Sequence, residues 1–526
     1  MPTNGRTGYR VTEINGLFEN NEFLVIDKPY GYRVHRVNPL QWGLLETLEA
    51  LKNCKLWPVH RLDKDTSGLL IFAKTKEASQ VFFELFEQNK IHKKYIFLTD
   101  GQIQPEKFDY QSQIEKEGDR FVSQKSKTPN SKTTFSKIQN VGPLTLWQAE
   151  PLTGKPHQIR LHARDNGITI LGDPLYQGGE NHRLALHAAH LNFNYNGQKF
   201  SFESRVPSDF TLLASTTEAL LLSAKENIIQ WMDQAKTNCL QIARMTRHQW
   251  AIEWLDQTYW IKNYGDPLTL NDKTELQQFA KKHSCKVFVR AMKDRGQGVG
   301  GEEKDLLFST DSASTTWTVK ENDLNFELRS DSGFSTGLFL DQRQNRKWVL
   351  NNSSGKKVLN LFSYTCAFSV YAARGQAKEV VSVDASGVFL DWGKQNFLLN
   401  DLNPEDAQFF QQDCLLFLNG AKKRSRKWDL IICDPPTFGR SKNSIWKIEK
   451  DFPELMQLLW SCLEKNGRIL LTCNYEKWTK TDLHKKIKIA LKNERLEIQE
   501  LPLPPLDYGC YDELELGTKG LFVIKI

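Results

Sequence analysis

The 526-residue sequence contains no stretch approaching 18 consecutive apolar residues, so no membrane-spanning helix is expected. It has no Cys-x-x-Cys pair. Its nine cysteines are odd in number and scattered from Cys54 to Cys510, which argues against a disulfide framework and against a zinc site, and no metal is expected. The opening residues, Met1 to Arg6, lack the short apolar run of a secretory signal, and the expected location is the cytoplasm. Neither a repeat of fixed period nor a low-complexity tract occurs, which removes solenoids and propellers. No charge of one sign dominates: 70 Lys and Arg face 63 Asp and Glu, for a net +7, compatible with a polyanionic partner without demanding one. What is present is ordinary globular material, 40% hydrophobic and 25% charged with a mean hydropathy of −0.51. Fourteen tryptophans hint only weakly at base stacking, since most aromatics are core. At roughly 150 residues per domain, the length allows three or four domains.

Three regimes follow along the chain. Up to about Phe210, short β-like runs such as Phe23–Ile26, Leu69–Phe72, Tyr95–Leu98 and Leu144–Trp147 are broken by Gly, Pro and Asn, as in a largely antiparallel α+β domain. Ser215 and Glu218 stand in capping-box spacing before Leu221, Leu222, Ile228, Ile229, Met232 and Ala235, which recur at helical intervals and predict a connector helix. From Cys239 to Ser332 the pattern is mixed, as in a small α/β module. After Gly355 continuous apolar strands alternate with helices: Val358–Phe362, Val380–Asp384, Asp429–Asp434 and Arg468–Thr472. That rhythm predicts a parallel sheet covered on both faces, with ligands at the carboxyl ends of its strands.

The densest signal in the front half is His60-Arg61-Leu62-Asp63-Lys64-Asp65-Thr66-Ser67-Gly68. Together with Val25-Ile26-Asp27-Lys28-Pro29, Lys93-Lys94-Tyr95, Gly154 through His162, and Gly172-Asp173-Pro174-Leu175-Tyr176, it resembles the RluA-type pseudouridine synthases. The resemblance covers about 200 residues. It implies a mixed, mainly antiparallel sheet and an isomerisation that breaks the C1′–N1 bond of uridine and rejoins C1′ to C5, without a cofactor. The catalytic aspartate of that family falls on Asp63, which either adds to the sugar or abstracts a proton. The family implies Arg160 as the partner that keeps the carboxylate ionised, Tyr95 as the aromatic against the base, and Arg61 as the group entering the space of the extruded nucleotide. His60, His157 and His162 read as structural or phosphate-contacting, and Asp65 is unassigned. Many relatives open with a small S4 RNA-binding module; only about twenty residues precede the first strand here, so RNA positioning is expected from elsewhere in the chain.

In the back half, Asn360-Leu361-Phe362-Ser363-Tyr364-Thr365-Cys366 follows the first strand and Asp384 ends the second, an arrangement that cradles a nucleoside and bonds its ribose. The turn lacks Gly-x-Gly-x-x-Gly, which disfavours pyrophosphate and nicotinamide cofactors. Asp413 is placed to bond an adenine amino group, and Asp434-Pro435-Pro436-Thr437-Phe438 forms a stiff loop whose Phe438 can stack on a base. Asp384 has a second reading as a helix N-cap, a role Ser386 fills equally well. With Gly337 through Arg343, Leu390 through Asn396 and Asp434 through Lys442, this set resembles class I S-adenosylmethionine (SAM)-dependent methyltransferases of the RlmK and RlmI type. The module around Val287–Arg290 and the loop to Glu303 is similar to the one that precedes that domain, and the resemblance covers about residues 240–526. It implies a Rossmann-like α/β domain that binds SAM through Asn360, Phe362, Tyr364, Asp384, Ser386, Asp413, Asp434 and Arg343, with Pro435 and Phe438 placing the target base. Cys366 stands where the family has glycine; its Cβ limits φ, so a shifted turn is expected.

The expected organisation is therefore a synthase domain over 1–213, a connector helix over 214–238, a small α/β module for RNA binding or positioning over 239–332, and a methyltransferase domain over 333–526. The expected activity is dual modification of rRNA, 23S by resemblance, free or in an assembly particle: pseudouridine formation and methylation at guanine N7. Rival readings are methylation of cytosine C5, for which Cys473 lies near the required region, methylation of guanine N2, or one catalytic domain with the other only holding RNA. Neither membrane nor DNA is an expected partner. The basic runs Lys422–Lys427 and Lys125–Lys132 read as solvated surface.

Overall fold

The computed structural model describes residues 17–35, 43–101, 105–118, 120–179, 181, 183–210, 216–229, 236–243, 249–292, 306–309, 315–332, 335–440, 445–502, 505–508 and 518–526. Ser215, Met232, Ala235, the loop to Glu303, Lys442 and Cys510, all singled out from the sequence, lie outside the described residues. The chain divides into two compact units, 1–234 with 241–311 and 509–511, and 235–240 with 312–508 and 512–526. No helix among the described residues is long and apolar enough to cross a membrane.

An eleven-stranded sheet organises the first unit. Its path runs Phe18–Glu19, Phe23–Lys28, Ser67–Ala73, Leu186–Tyr195, His92–Thr99, Leu144–Pro151, Ser131–Val141, Lys107–Glu117 and Arg120–Gln124. The described pairings are antiparallel except that of Ser67–Ala73 with Leu186–Tyr195, so the sheet is mixed and mainly antiparallel, as expected. Every residue of Ser67–Ala73 is buried, which explains its unbroken apolar run. Gly68 is required at the parallel junction: its φ is +112°, and a Cβ there would collide with the Ala188 carbonyl. Helix Lys76–Glu87, capped by Thr75, buries Ala78 and Phe82, and Phe82 meets the rings of Phe23, Phe193 and Tyr195. Fully burying such side chains stabilises by roughly 1.5–3 kcal/mol each.

The periodic helix spans Thr217–Ile229 and buries Leu220, Leu221 and Ile228. The Glu218 carboxylate accepts from His283 Nε2 at 2.7 Å and pairs with Lys282, both from the C-terminal end of helix Leu270–Lys282 and its cap. Asn227 bonds the backbone of Tyr30 on the other side. The helix is thus held from two directions within the first unit. The same unit holds a smaller sheet in which Trp250–Leu255, Thr258–Asn263, Lys286–Ala291 and Leu306–Phe308 are neighbours.

The second unit is an α/β domain whose seven-stranded sheet runs Gln408–Gln411, Glu379–Asp384, Lys357–Leu361, Trp428–Cys433, Leu463–Cys473, Lys519–Lys525, Leu496–Glu500. The first five strands are parallel and the last two antiparallel. The chain order reverses beside Lys357–Leu361, and the carboxyl ends of that strand and of Trp428–Cys433 open a crevice between them. The hairpin of Thr316–Glu321 and Leu324–Arg329, which the sequence pattern groups with the middle module, packs in this unit: Glu327 bonds Asn396 and Trp392, and Asn325 bonds Asn400.

Glu321, at the end of the first hairpin strand, is fully buried and takes both ends of the Arg346 guanidinium at 2.7 Å. Removing one member of a buried pair strands the other charge out of water, a loss of about 3–5 kcal/mol. Glu321→Ala is expected to lower the unfolding free energy of the second unit by that amount, read as a lower urea midpoint, and an unchanged midpoint would contradict this account of the hairpin's anchorage.

Candidate active sites

Asp63 sits in the loop between the short strand Trp57–Pro58 and Ser67–Ala73. The loop is anchored by Lys28, wholly buried at the end of Phe23–Lys28, whose Nζ donates to the Lys64 carbonyl at 2.8 Å. This is what the Val-Ile-Asp-Lys-Pro motif does structurally. Arg160 projects from helix Gln158–Asp165, donates from Nη1 to Asp63 Oδ2 at 3.1 Å, and grips Asp173 with Nε and Nη2 at 2.7 Å each. Asp173 also accepts from the amides of Leu175 and Tyr176. Burial opposes the arginine's charge, yet Asp173 and Asp63 hold its pKa above the ordinary value. Tyr95 is buried beside them; burial, then the Asp63 charge, pushes its phenol well up, and it stays protonated.

These side chains line a cavity of about 560 Å³ that also includes the exposed Arg61. The sequence-derived set Asp63, Tyr95, Arg160 and Arg61 is therefore brought together, and Asp173 is the addition, a residue within a recognised motif whose role only the fold reveals. The histidines are structural: His60, which burial pushes down to about 3, accepts the Ile71 amide at 3.0 Å, and His162, pushed by burial to about 4, is bonded by Ser112, Ser131 and Thr133. His157 Nε2 lies 3.9 Å from Asp63, but burial holds its pKa low and its Nδ1 is bonded to the Tyr176 hydroxyl.

The second cavity, about 340 Å³, opens at the switch point of the parallel sheet. Asn360, Phe362, Tyr364, Asp384, Asp413, Asp434 and Pro435 all line it. Asp384 accepts the Tyr364 amide on Oδ2 and the Ser386 amide on Oδ1, both at 2.9 Å; burial raises its pKa and these donors oppose the rise. Ser386 lies outside the lining and caps helix Gly387–Leu398, which leaves Asp384 turned to the cavity. Asp413 caps helix Cys414–Lys423 through Oδ1 while remaining in the wall. Asp434 is half-buried, accepts Thr472 Oγ1 at 2.6 Å, and is pushed up to about 6 by burial, with Asp341 adding to the rise.

Two residues are elsewhere. Arg343 does not line the cavity, because Asp507 takes its Nη1 at 2.7 Å and the Cys239 carbonyl its Nη2 at 2.6 Å; Arg346, one helical turn on, lines it instead. Phe438 is 50% exposed in the hairpin Phe438–Arg440 and Ile445–Lys447 and is not in the lining, whereas Trp446 of the facing strand is. Cys473 is buried, with its thiol pushed up, and is absent from the lining.

Phe362, Tyr364 and Cys366 all adopt left-handed φ of 54°, 47° and 57°. Space for the Cys366 side chain comes from Gly393, where a Cβ would stand 2.5 Å from the sulfur. Four aspartates, 341, 384, 413 and 434, face the cavity against one arginine already tied to Glu321. That charge balance suits a cationic nucleoside and not a pyrophosphate, and it fits SAM, which carries a sulfonium and an ammonium. When bound, the cofactor supplies an electrophilic methyl; Asp384 would be the group to hold its ribose hydroxyls and Asp413 the one to meet its adenine edge.

Comparison with known proteins finds two family models on separate segments of the chain. Residues 22–165 match the family model for RNA pseudouridylate synthase, and residues 305–489 that for S-adenosylmethionine-dependent methyltransferase. The chain joins a pseudouridine synthase domain to a SAM-dependent methyltransferase domain. Ribosomal RNA large subunit methyltransferase K/L of Shewanella sp. (strain ANA-3) is 41% identical over 181 residues, 34% of this chain and 25% of the relative. The protein of that name from Alteromonas mediterranea is 32% identical over 290 residues, 52% of this chain and 39% of its own. The chain thus spans between a quarter and two fifths of the length of these relatives. A methyltransferase structure from Streptococcus mutans shares the fold, at 20% identity and a TM-score of 0.51 over 64% of this chain and 88% of that one. A methyltransferase solved with S-adenosylhomocysteine gives 21% and 0.51, over 65% of this chain and 89% of that one.

In the methyltransferase domain, a pKa of about 6 for Asp434 against an ordinary 3.8 means the folded state favours its neutral form. That stabilisation is complete below about pH 4 and is lost as pH rises through 6, a span of up to about 3 kcal/mol. Asp434→Asn is expected to be more stable than the wild type at pH 7.5, with the difference shrinking between pH 6 and pH 4. Thermal melts across that range test the sign.

Proposed function

We propose that this chain modifies large-subunit ribosomal RNA at two sites, forming a pseudouridine with Asp63 and methylating a guanine, at N7 in the leading reading, with SAM. The observation that carries the proposal is that one chain holds both a partly exposed aspartate locked to a buried arginine and an acidic nucleoside cavity at the switch point of a parallel sheet. Support for rRNA comes from the names of the relatives. Such an enzyme works in the cytoplasm, on free 23S rRNA or on an assembly particle.

In the synthase site, Arg160 holds Asp63 in position for addition to C1′ or for proton abstraction, and the uncharged Tyr95 phenol faces the detached base beside it. The reaction returns every atom of the uridine, so no cofactor is called for. In the methyltransferase site, guanine N7 has a free lone pair, and in-line approach to the methyl requires positioning and not a base. Pro435 and Trp446 form walls for a purine, and the Asp434 carboxylate accepts from its N–H edge. The same carboxylate favours guanine N2 as the second reading, because an exocyclic amine must lose a proton and Asp434 is placed to hold it. Cytosine C5 chemistry needs a thiolate in the cavity, and Cys473 is buried away from it.

Asp63→Ala is expected to abolish pseudouridine formation and leave methyl transfer intact, with the converse for Asp384→Ala. Nucleoside mass spectrometry of rRNA treated with each variant reads both products and identifies the methylated atom. Loss of both by either substitution, or of neither, would refute two separate sites. Methyl transfer should also fall as the pH drops through about 6, where Asp434 gains a proton.

A further inference from the structure

The Asp63 cavity contains groups that the isomerisation does not use. Helix Lys76–Glu87 turns Ala78 and Phe82 to the core. Phe83 lies about 100° further round the helix. It is 59% exposed, the one exposed phenylalanine among the described residues of the first unit. Phe86 follows three residues on, on the same side, and both rings line the cavity. Phe86 is braced by the His60 ring at 4.9 Å, immediately ahead of the Arg61-Leu62-Asp63 segment. Above Phe86, at 5.7 Å from its centroid, stands Lys93 Nζ.

Lys93 also lines the cavity, and no described carboxylate pairs with it. Burial holds its pKa below the usual lysine value, as befits an ammonium that has lost water without gaining an anion. A solvent-facing aromatic beside an under-solvated cation is the pairing that single-stranded nucleic acid satisfies, base on ring and phosphate on ammonium. An enzyme that turns a nucleotide out of its stack also leaves the next base without a stacking partner.

We propose that Phe83 and Phe86, with Lys93, form a second nucleotide subsite in the synthase cleft, which stacks the base adjacent to the reacting uridine and pairs its phosphate. The proposal rests on the pseudouridine synthase reading of this cleft. Arg61 enters the space of the extruded uridine; the Phe83 platform receives the neighbour.

The test uses the full chain with in vitro transcribed, unmodified 23S rRNA, and reads pseudouridine formation against RNA concentration. Phe83 is exposed, so its substitution spares the core. Phe83→Ala is expected to raise KM about tenfold with kcat little changed, in line with one lost base stack. Phe83→Trp should restore KM and Phe83→Leu should not, since leucine replaces area without a π face. Lys93→Met should raise KM and flatten the salt dependence. A parallel measurement uses a uridine-containing single strand with 2-aminopurine beside the uridine, whose fluorescence the subsite should quench in a Phe83-dependent way. Wild-type KM in Phe83→Ala, or rescue by leucine as good as by tryptophan, would overturn the subsite. No pseudouridine from the wild type, with Phe83-dependent quenching intact, would instead overturn the synthase reading and leave the nucleotide site standing.

Discussion

A carboxylate removed from water must be given donors in place of its hydration, and both sites of this chain are built around that requirement. At Asp63 the donor is Arg160, which is itself buried and would be costly if Asp173 did not hold its other edge. Asp173 is in turn satisfied by the amides of its own turn. The result is a chain of charge and hydrogen bonding that ends on Asp63, the member most open to the cleft. At Asp384 the donors are backbone amides from two turns, and at Asp434 they are side chains, Thr472 and Gln342. Burial raises the pKa of both carboxylates, and at Asp434 the neighbouring Asp341 charge adds to the rise.

Supplying those donors imposes the local geometry. The Tyr364 amide reaches Asp384 only because the turn holds three non-glycine residues in the left-handed region, a strain that the surrounding packing must over-determine. Cys366 is accommodated there by the missing side chain of Gly393, so the two positions form one device although they lie on different elements. In the synthase domain Gly68 serves an equivalent purpose, letting the strand that carries the Asp63 loop run against Ala188. Helix Gln158–Asp165 begins with the same kind of strain, at His157, and that start sets the direction in which Arg160 points.

Motif order was the readable part. The residues around Asp63, Tyr95 and Arg160 were legible because their motifs stand in the order of the RluA-type synthases that the chain resembles, and the apolar strands of the second unit announced their parallel sheet. Arg343 shows where such reading stops: two arginines stand three residues apart on one helix, and which of them meets the cavity depends on where Asp507, 164 residues away, is placed. Ser386 and Asp384 were interchangeable as caps until the helix axis decided between them. Glu218 was legible only by its capping-box spacing, and its partners His283 and Lys282 come from a helix more than sixty residues on. Phe83 carried no signal at all, since one phenylalanine beside another in an amphipathic helix reads as core.

Sequence alone thus determined the alternation of elements, the identity of the acids and the two kinds of chemistry they suit, because these follow from residue type and local period. Tertiary structure decided which acids face a cavity, which arginine serves them and which aromatic stays in solvent. Those choices turn on desolvation and on partners brought from distant segments, and neither is a property of any local stretch of chain.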